Sequence, residues 1–167
     1  MPFAEGTTVP VERSRAEIET LLRRYGADQF VSGWDAGMAM IGFHARERTV
    51  RFILPIPSRT EKRFTHATRR LTGRLTREYP RTPEDALRQW EGECRRRWRS
   101  LALTIKAKLE AVETGIALFE QEFLANILMP DGRTVGEHVT PMIARAYTTG
   151  ETPKLLPEFA GDAKGAP

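Results

Sequence analysis

Apolar side chains recur through the second half of the chain at Leu87, Trp90, Cys94, Trp98, Leu101, Ile105, Leu109, Val112, Ile116, Phe119, Phe123 and Ile127. The mean step is ~3.6 residues, the period of a straight α-helix. The pattern therefore predicts one very long amphipathic helix from Thr82 to about Met129. Thr82 supplies an N-cap, Pro83 suits the first helical position, and Asp85 sits where a short acidic side chain answers the cap. Met129-Pro130-Asp131-Gly132 supplies the stop, because the residue before a proline is pushed out of the α region and Asp-Gly favours a turn. A helix of that length would extend ~69 Å at about 1.5 Å per residue. No small sheet covers so long a stripe. Either the helix breaks, at Gly92, at Gly115 or before Pro130, or a second copy covers the overhang, with packing between globular subunits favoured over a coiled coil.

Upstream, Ser14 with Glu17 reads as a capping box opening a short helix whose buried face is Ile18, Leu21, Leu22 and Tyr25, closed at Gly26. From Ala27 the period changes to two. Gln29 to Trp34, Gly37 to Phe43 and Thr49 to Ile56 read as strands joined by short connections, hence an antiparallel meander. Val50, Phe52, Leu54 and Ile56 share one face opposite Arg51, and Ala39, Ile41 and Phe43 share another. Pro55 and Pro57 end the sheet. Residues 58–81 read as an irregular basic loop in which Leu71 and Leu75 form one side of a brief helix. After the long helix, Thr134 caps a segment with Val135, Val139, Met142, Ile143 and Tyr147, kinked or split at Pro141 and ended by Gly150.

The expected fold is α+β: an N-terminal helix, a three-stranded antiparallel meander, the basic loop, a very long amphipathic helix covering the sheet, and a short C-terminal helix. The expected organisation is a flexible arm over residues 1–12, a single domain over 13–156 and a mobile tail over 157–167. No internal repeat is found.

Composition narrows the class. The chain has 167 residues, 40% hydrophobic and 29% charged, with a mean hydropathy of -0.44, which suits a globular protein with one core. No apolar run approaches the ~20 residues of a membrane span, and the N-terminus lacks a signal-peptide pattern. A cytoplasmic protein with no membrane partner is expected. Cys94, the single cysteine, falls on the apolar stripe and reads as a buried hydrophobe.

Charge changes the picture more. Residues 1–58 carry seven basic and seven acidic side chains, residues 59–109 carry 15 and 6, and residues 110–167 carry 4 and 9. A basic middle of net +9 points to a polyanionic partner or to contact with the acidic end of a neighbouring copy.

Catalytic chemistry is not legible. His44, His66 and His138 lack metal-ligand spacing, no glycine-rich phosphate loop with lysine occurs, and Ser14, Ser32, Ser58 and Ser100 lack nucleophile-elbow flanks. A non-enzymatic protein without cofactor, metal or small-molecule substrate is expected. Arginine forks bind phosphate bidentately and aromatic rings stack on unpaired bases. The candidate nucleic-acid-binding residues are accordingly Arg59, Lys62, Arg63, Phe64, Arg69, Arg70, Arg74, Arg77, Tyr79 and Arg81 of the basic stretch, with Arg95, Arg96 and Arg99 of the helix. His66 is a further stacking candidate. Trp90 and Trp98 fall on the apolar stripe and read as core.

Four stretches, Arg23-Arg24-Tyr25-Gly26-Ala27, Ile53-Leu54-Pro55-Ile56-Pro57, residues 105–113 and residues 129–137, give the chain a resemblance to a group of small proteins encoded by bacteriophages and prophages. It spans residues 9–157 and is weakest in the basic loop. It implies a phage-genome origin, action in a bacterial host cell, and a DNA-related or host-interaction role, but carries over no site residues. In topology, three antiparallel strands followed by a long helix also resemble the core of single-strand annealing proteins. The leading expectation is a phage-type protein that binds single-stranded DNA and forms a homo-oligomer. The alternative is a phage assembly or anti-host module whose basic face meets an acidic protein.

Overall fold

The computed structural model describes residues 4–35, 37–70 and 76–151. The chain runs α1 (Val11–Arg24), β1 (Gln29–Asp35), β2 (Met38–Ala45), β3 (Arg48–Pro55), α2 (Lys62–Thr65), β4 (His66–Arg70), β5 (Thr76–Pro80), α3 (Pro83–Glu113), α4 (Phe119–Phe123), one 3-10 turn (Leu124–Asn126) and α5 (Val135–Thr149). The fold is α+β, as the alternation of periods predicts.

The first three strands form an antiparallel meander in the order β1-β2-β3. Ile41 pairs with Ser32 and Phe52, and Phe43 with Phe30 and Val50. Because side chains alternate across the pleat, Ala39, Ile41, Phe43, Val50 and Phe52 are buried together on the inner face. Trp98, Ala102, Ile105 and Leu109 of α3 complete this core, with Ile18 and Leu22 of α1. Isolated pairing of Val50 with Ile127 extends the sheet beyond β3, which leaves β1 at the other edge.

Two helix boundaries and the basic stretch differ from expectation. Helix α1 starts at Val11, so Ser14 is not its cap. Ser14 lies inside the helix, fully buried, and its Oγ has no hydrogen-bond partner among the described residues. Apolar burial of the flanking turn outweighs the local capping preference.

The long helix stops at Glu113. Its start is as expected, with Thr82 accepting a hydrogen bond from the Asp85 amide. The apolar period continues past its end, but Gly115 adopts a positive φ of 74° and the chain reverses. Ile116 is consequently exposed, whereas Phe119 and Phe123 fold back onto the core. Phe123 meets Phe43 edge to face at 5.8 Å and Phe52 at 6.3 Å, a geometry favoured by the ring quadrupoles. Lys108 of α3 holds the returning segment through the Glu122 carbonyl at 2.7 Å. Helix length therefore does not by itself require a second copy.

The described residues of the basic stretch have regular structure where an irregular loop is expected. They contain the single turn α2 and an antiparallel hairpin, β4-β5. Leu71 and Leu75 lie outside the described residues, as does the tail from residue 152. Helix α5 follows expectation. Thr134 and Glu137 form a capping box, Pro141 lies inside, and Gly150 closes it. The helix seats closely, because a Cβ on Gly136 would meet the Ala125 carbonyl oxygen at 2.7 Å.

Candidate nucleic-acid interface

The segment after β3 is fastened to α3 before it enters the hairpin. Trp90 donates its indole N–H to the Pro57 carbonyl at 2.7 Å, and the Arg59 guanidinium lies 4.2 Å from the centre of the same ring. Phe64 of α2 is buried, with Arg63 stacked on it at 4.6 Å. Arg81, just past β5, donates to the carbonyls of Arg63, Phe64 and His66 at 2.8, 3.0 and 2.5 Å. It thereby satisfies backbone acceptors at the end of α2 that the short helix leaves open. Phe64 and Arg81 are structural in this arrangement, and neither presents itself to a nucleic acid.

Five of the other basic candidates, Lys62, Arg63, Arg95, Arg96 and Arg99, already have anionic partners. Lys62 of α2 pairs with Glu78 of β5 at 2.5 Å. Glu93 is the hub of α3: Arg96 reaches it at 2.7 Å, Arg97 at 2.9 Å and Arg63 at 3.7 Å. The hydrogen bond from Arg96 is the main reason that the Glu93 carboxyl titrates below its ordinary value, with Arg97 assisting against the opposing effect of burial. Arg99 pairs with Glu17 of α1, and Arg95 lies 3.9 Å from Glu91. The Arg63–Glu93 and Arg99–Glu17 pairs join α2 and α1 to α3, and the Arg95, Arg96 and Arg97 pairs lie along α3 itself.

Arg69 and Arg77 differ. They are directly opposite in the register of β4 and β5, two positions from the pair Ala67 and Tyr79. By the alternation of strands, the two guanidinium groups and the phenol ring share one face of the hairpin. Both arginines are exposed, Tyr79 is 46% exposed, and neither arginine has an ion-pair partner among the described residues. Arg70 is placed only by its backbone pairing with Thr76, and Arg74 lies outside the described residues.

A second concave feature was not legible in the sequence. A cleft of about 920 Å³ opens between the start of α1, the β1-β2 turn, the segment after β3 and the first half of α3. Trp34, Trp90 and Trp98 all line it, with Arg15, Arg59 and Arg95. Trp98 and Cys94 are buried, whereas Trp34 is 81% exposed. Arg15 lies 5.7 Å from the Trp98 ring centre and donates to the Ser32 hydroxyl at 2.7 Å, which ties α1 to β1. Burial raises the Cys94 thiol above its ordinary pKa, the opposite of what a reactive thiolate needs. Trp34 pairs with the inward-facing Ala39 and so lies on the inner face of β1, yet it is exposed rather than covered.

Each histidine has a local partner. His44 meets Asp28 at 2.7 Å, His66 meets Thr65 at 2.9 Å and His138 meets Asp131 at 2.8 Å. Among the described residues no group of three His, Cys, Asp or Glu side chains is placed to hold a metal, and no helix is long and apolar enough to cross a membrane. Comparison of the chain with family models, curated proteins and solved structures found no match.

Proposed function

We propose that the protein binds single-stranded nucleic acid through the outer face of the β4-β5 hairpin. The observation that carries this reading is the opposed pair Arg69 and Arg77, exposed beside Tyr79 without a carboxylate partner among the described residues. Two guanidinium groups across a strand pair supply bidentate phosphate contacts, and the adjacent ring supplies a stacking surface for an unpaired base. The net charge of +9 over residues 59–109 supports the same partner. Double-stranded DNA offers phosphates to the arginines but no unstacked base to Tyr79, which is why single strands are preferred in this reading.

A protein partner is the second reading, and the outer face of the meander favours it. Val31, Met38 and Ile53 are 54%, 49% and 45% exposed, and alternation places them on the face opposite the core. Contiguous apolar surface of this kind marks interaction sites. Gel shifts with oligodeoxythymidine at rising salt separate the two. Nucleic-acid binding gives an affinity that falls with salt by a slope of about -0.7 per neutralised phosphate, and the variant Arg69→Ala/Arg77→Ala flattens that slope. Absence of binding at low salt to single-stranded DNA, duplex DNA and RNA would sink the first reading.

A further inference from the structure

We infer that the cleft between the three tryptophans holds one unpaired nucleotide of the strand bound by the hairpin. This inference rests on the single-strand reading. The cleft's volume of about 920 Å³ is at the upper end of small-ligand sites, roughly 300–1,000 Å³. Its walls have the two chemistries that a nucleotide needs. Trp34 offers an exposed indole face for stacking, and Arg59 offers a guanidinium that is held on the Trp90 ring and has no ion-pair partner among the described residues.

The charge of the lining points to a nucleotide rather than to a length of backbone. Arg15, Arg59 and Arg95 are balanced by Glu12, Asp35 and Glu91. A groove for a run of phosphates would be cationic throughout. A mixed lining suits a ligand with one phosphate and with both donors and acceptors on the edge of a planar ring. The hairpin, with Arg69 and Arg77, is then the place where the flanking phosphates are neutralised.

The cleft and the hairpin are parts of one continuous segment. From Arg59 the chain passes directly through α2 into β4, and that segment is anchored on α3 by the Trp90 to Pro57 hydrogen bond and the Arg63 to Glu93 ion pair. The inference requires that a strand lying along the hairpin delivers its end, or one splayed base, towards Trp34.

The chain's three tryptophans all line this cleft, and Trp34 is the exposed one, so intrinsic indole fluorescence compared between the parent and Trp34→Ala reports on it. Fluorescence titration with oligodeoxythymidine and with thymidine monophosphate, beside a gel shift of the same oligonucleotide, tests the inference. Saturable quenching by the oligonucleotide is expected. Trp34→Ala should weaken binding by roughly 5- to 150-fold, the range for loss of one stacked base, and Trp34→Phe should restore most of it. Arg69→Ala/Arg77→Ala should weaken binding while leaving the quenching at saturation intact. A gel shift without quenching, with Trp34→Ala as tight as the parent, overturns the cleft site and leaves the hairpin reading standing. Quenching by the monophosphate without any oligonucleotide binding overturns the single-strand reading, and with it the inference of a strand nucleotide. No quenching by either probe overturns the cleft site outright.

Discussion

Arg69 and Arg77 face each other across the β4-β5 hairpin as one cross-strand pair. Like charges directly opposite destabilise an antiparallel pair by roughly 0.2–1 kcal/mol. Their repulsion is relieved by a bound anion, so the arrangement favours the occupied state. Arg77→Thr should leave the melting temperature of the free protein unchanged or slightly raised, while the salt slope of single-strand binding falls by about 0.7. A melting temperature several degrees lower, with an unchanged slope, would show the pair to be structural.

Ser14 gives a prediction whose sign separates two readings. As an N-cap, its replacement by alanine would cost about 1 kcal/mol. Buried inside α1 with a hydroxyl that has no partner among the described residues, it should instead stabilise on replacement by about 1 kcal/mol. Thermal melts of Ser14→Ala should show a rise of about 2–4 °C for a chain of this size.

Glu93 sets an acid limit. Its carboxyl pKa is lowered by Arg96 first and Arg97 second, so its stabilising contribution is fully present above the unfolded-state value and is lost as pH falls through the lower folded value. The arginines around it are partly exposed, which discounts the interaction to about 1–2 kcal/mol. Glu93→Gln should melt about 2–8 °C below the parent at neutral pH. That gap should close on acidification below the ordinary carboxylate range. A gap independent of pH would exclude ionic stabilisation.

At Gly115 the helix break and an uninterrupted helix also predict opposite signs. With φ at 74°, a Cβ costs about 1–2 kcal/mol, so Gly115→Ala should lower the melting temperature. In a continuous helix the same change would stabilise by roughly 0.8–1.0 kcal/mol.

The core prediction compares neighbours. Ile105 is fully buried and Lys106 exposed. Ile105→Asp places an unpaired charge in the core, at a cost of several kcal/mol against a total stability of about 5–15 kcal/mol, and should unfold or aggregate the protein. Lys106→Asp should remain folded, as circular dichroism would show.

Local periodicity determined the helix-meander-helix order, the inward residues of β2 and β3, and the caps at Thr82 and Thr134, because each depends on neighbours within one or two turns or along one strand. Charge counting determined where the basic residues lie, but not which of them remain open. Arg63, Arg81 and Arg99 look equivalent to Arg69 and Arg77 in sequence. Only the tertiary structure gives the first group carbonyl or carboxylate partners and leaves the second pair exposed. The same holds for Ile116 and Phe119, which continue one apolar stripe until the chain reverses at Gly115 and sends one to solvent and the other into the core. The tryptophan cleft is the extreme case. Trp34 and Trp90 come from distant segments, β1 and α3, and both line one cleft, a relation between surfaces that no spacing along the chain encodes.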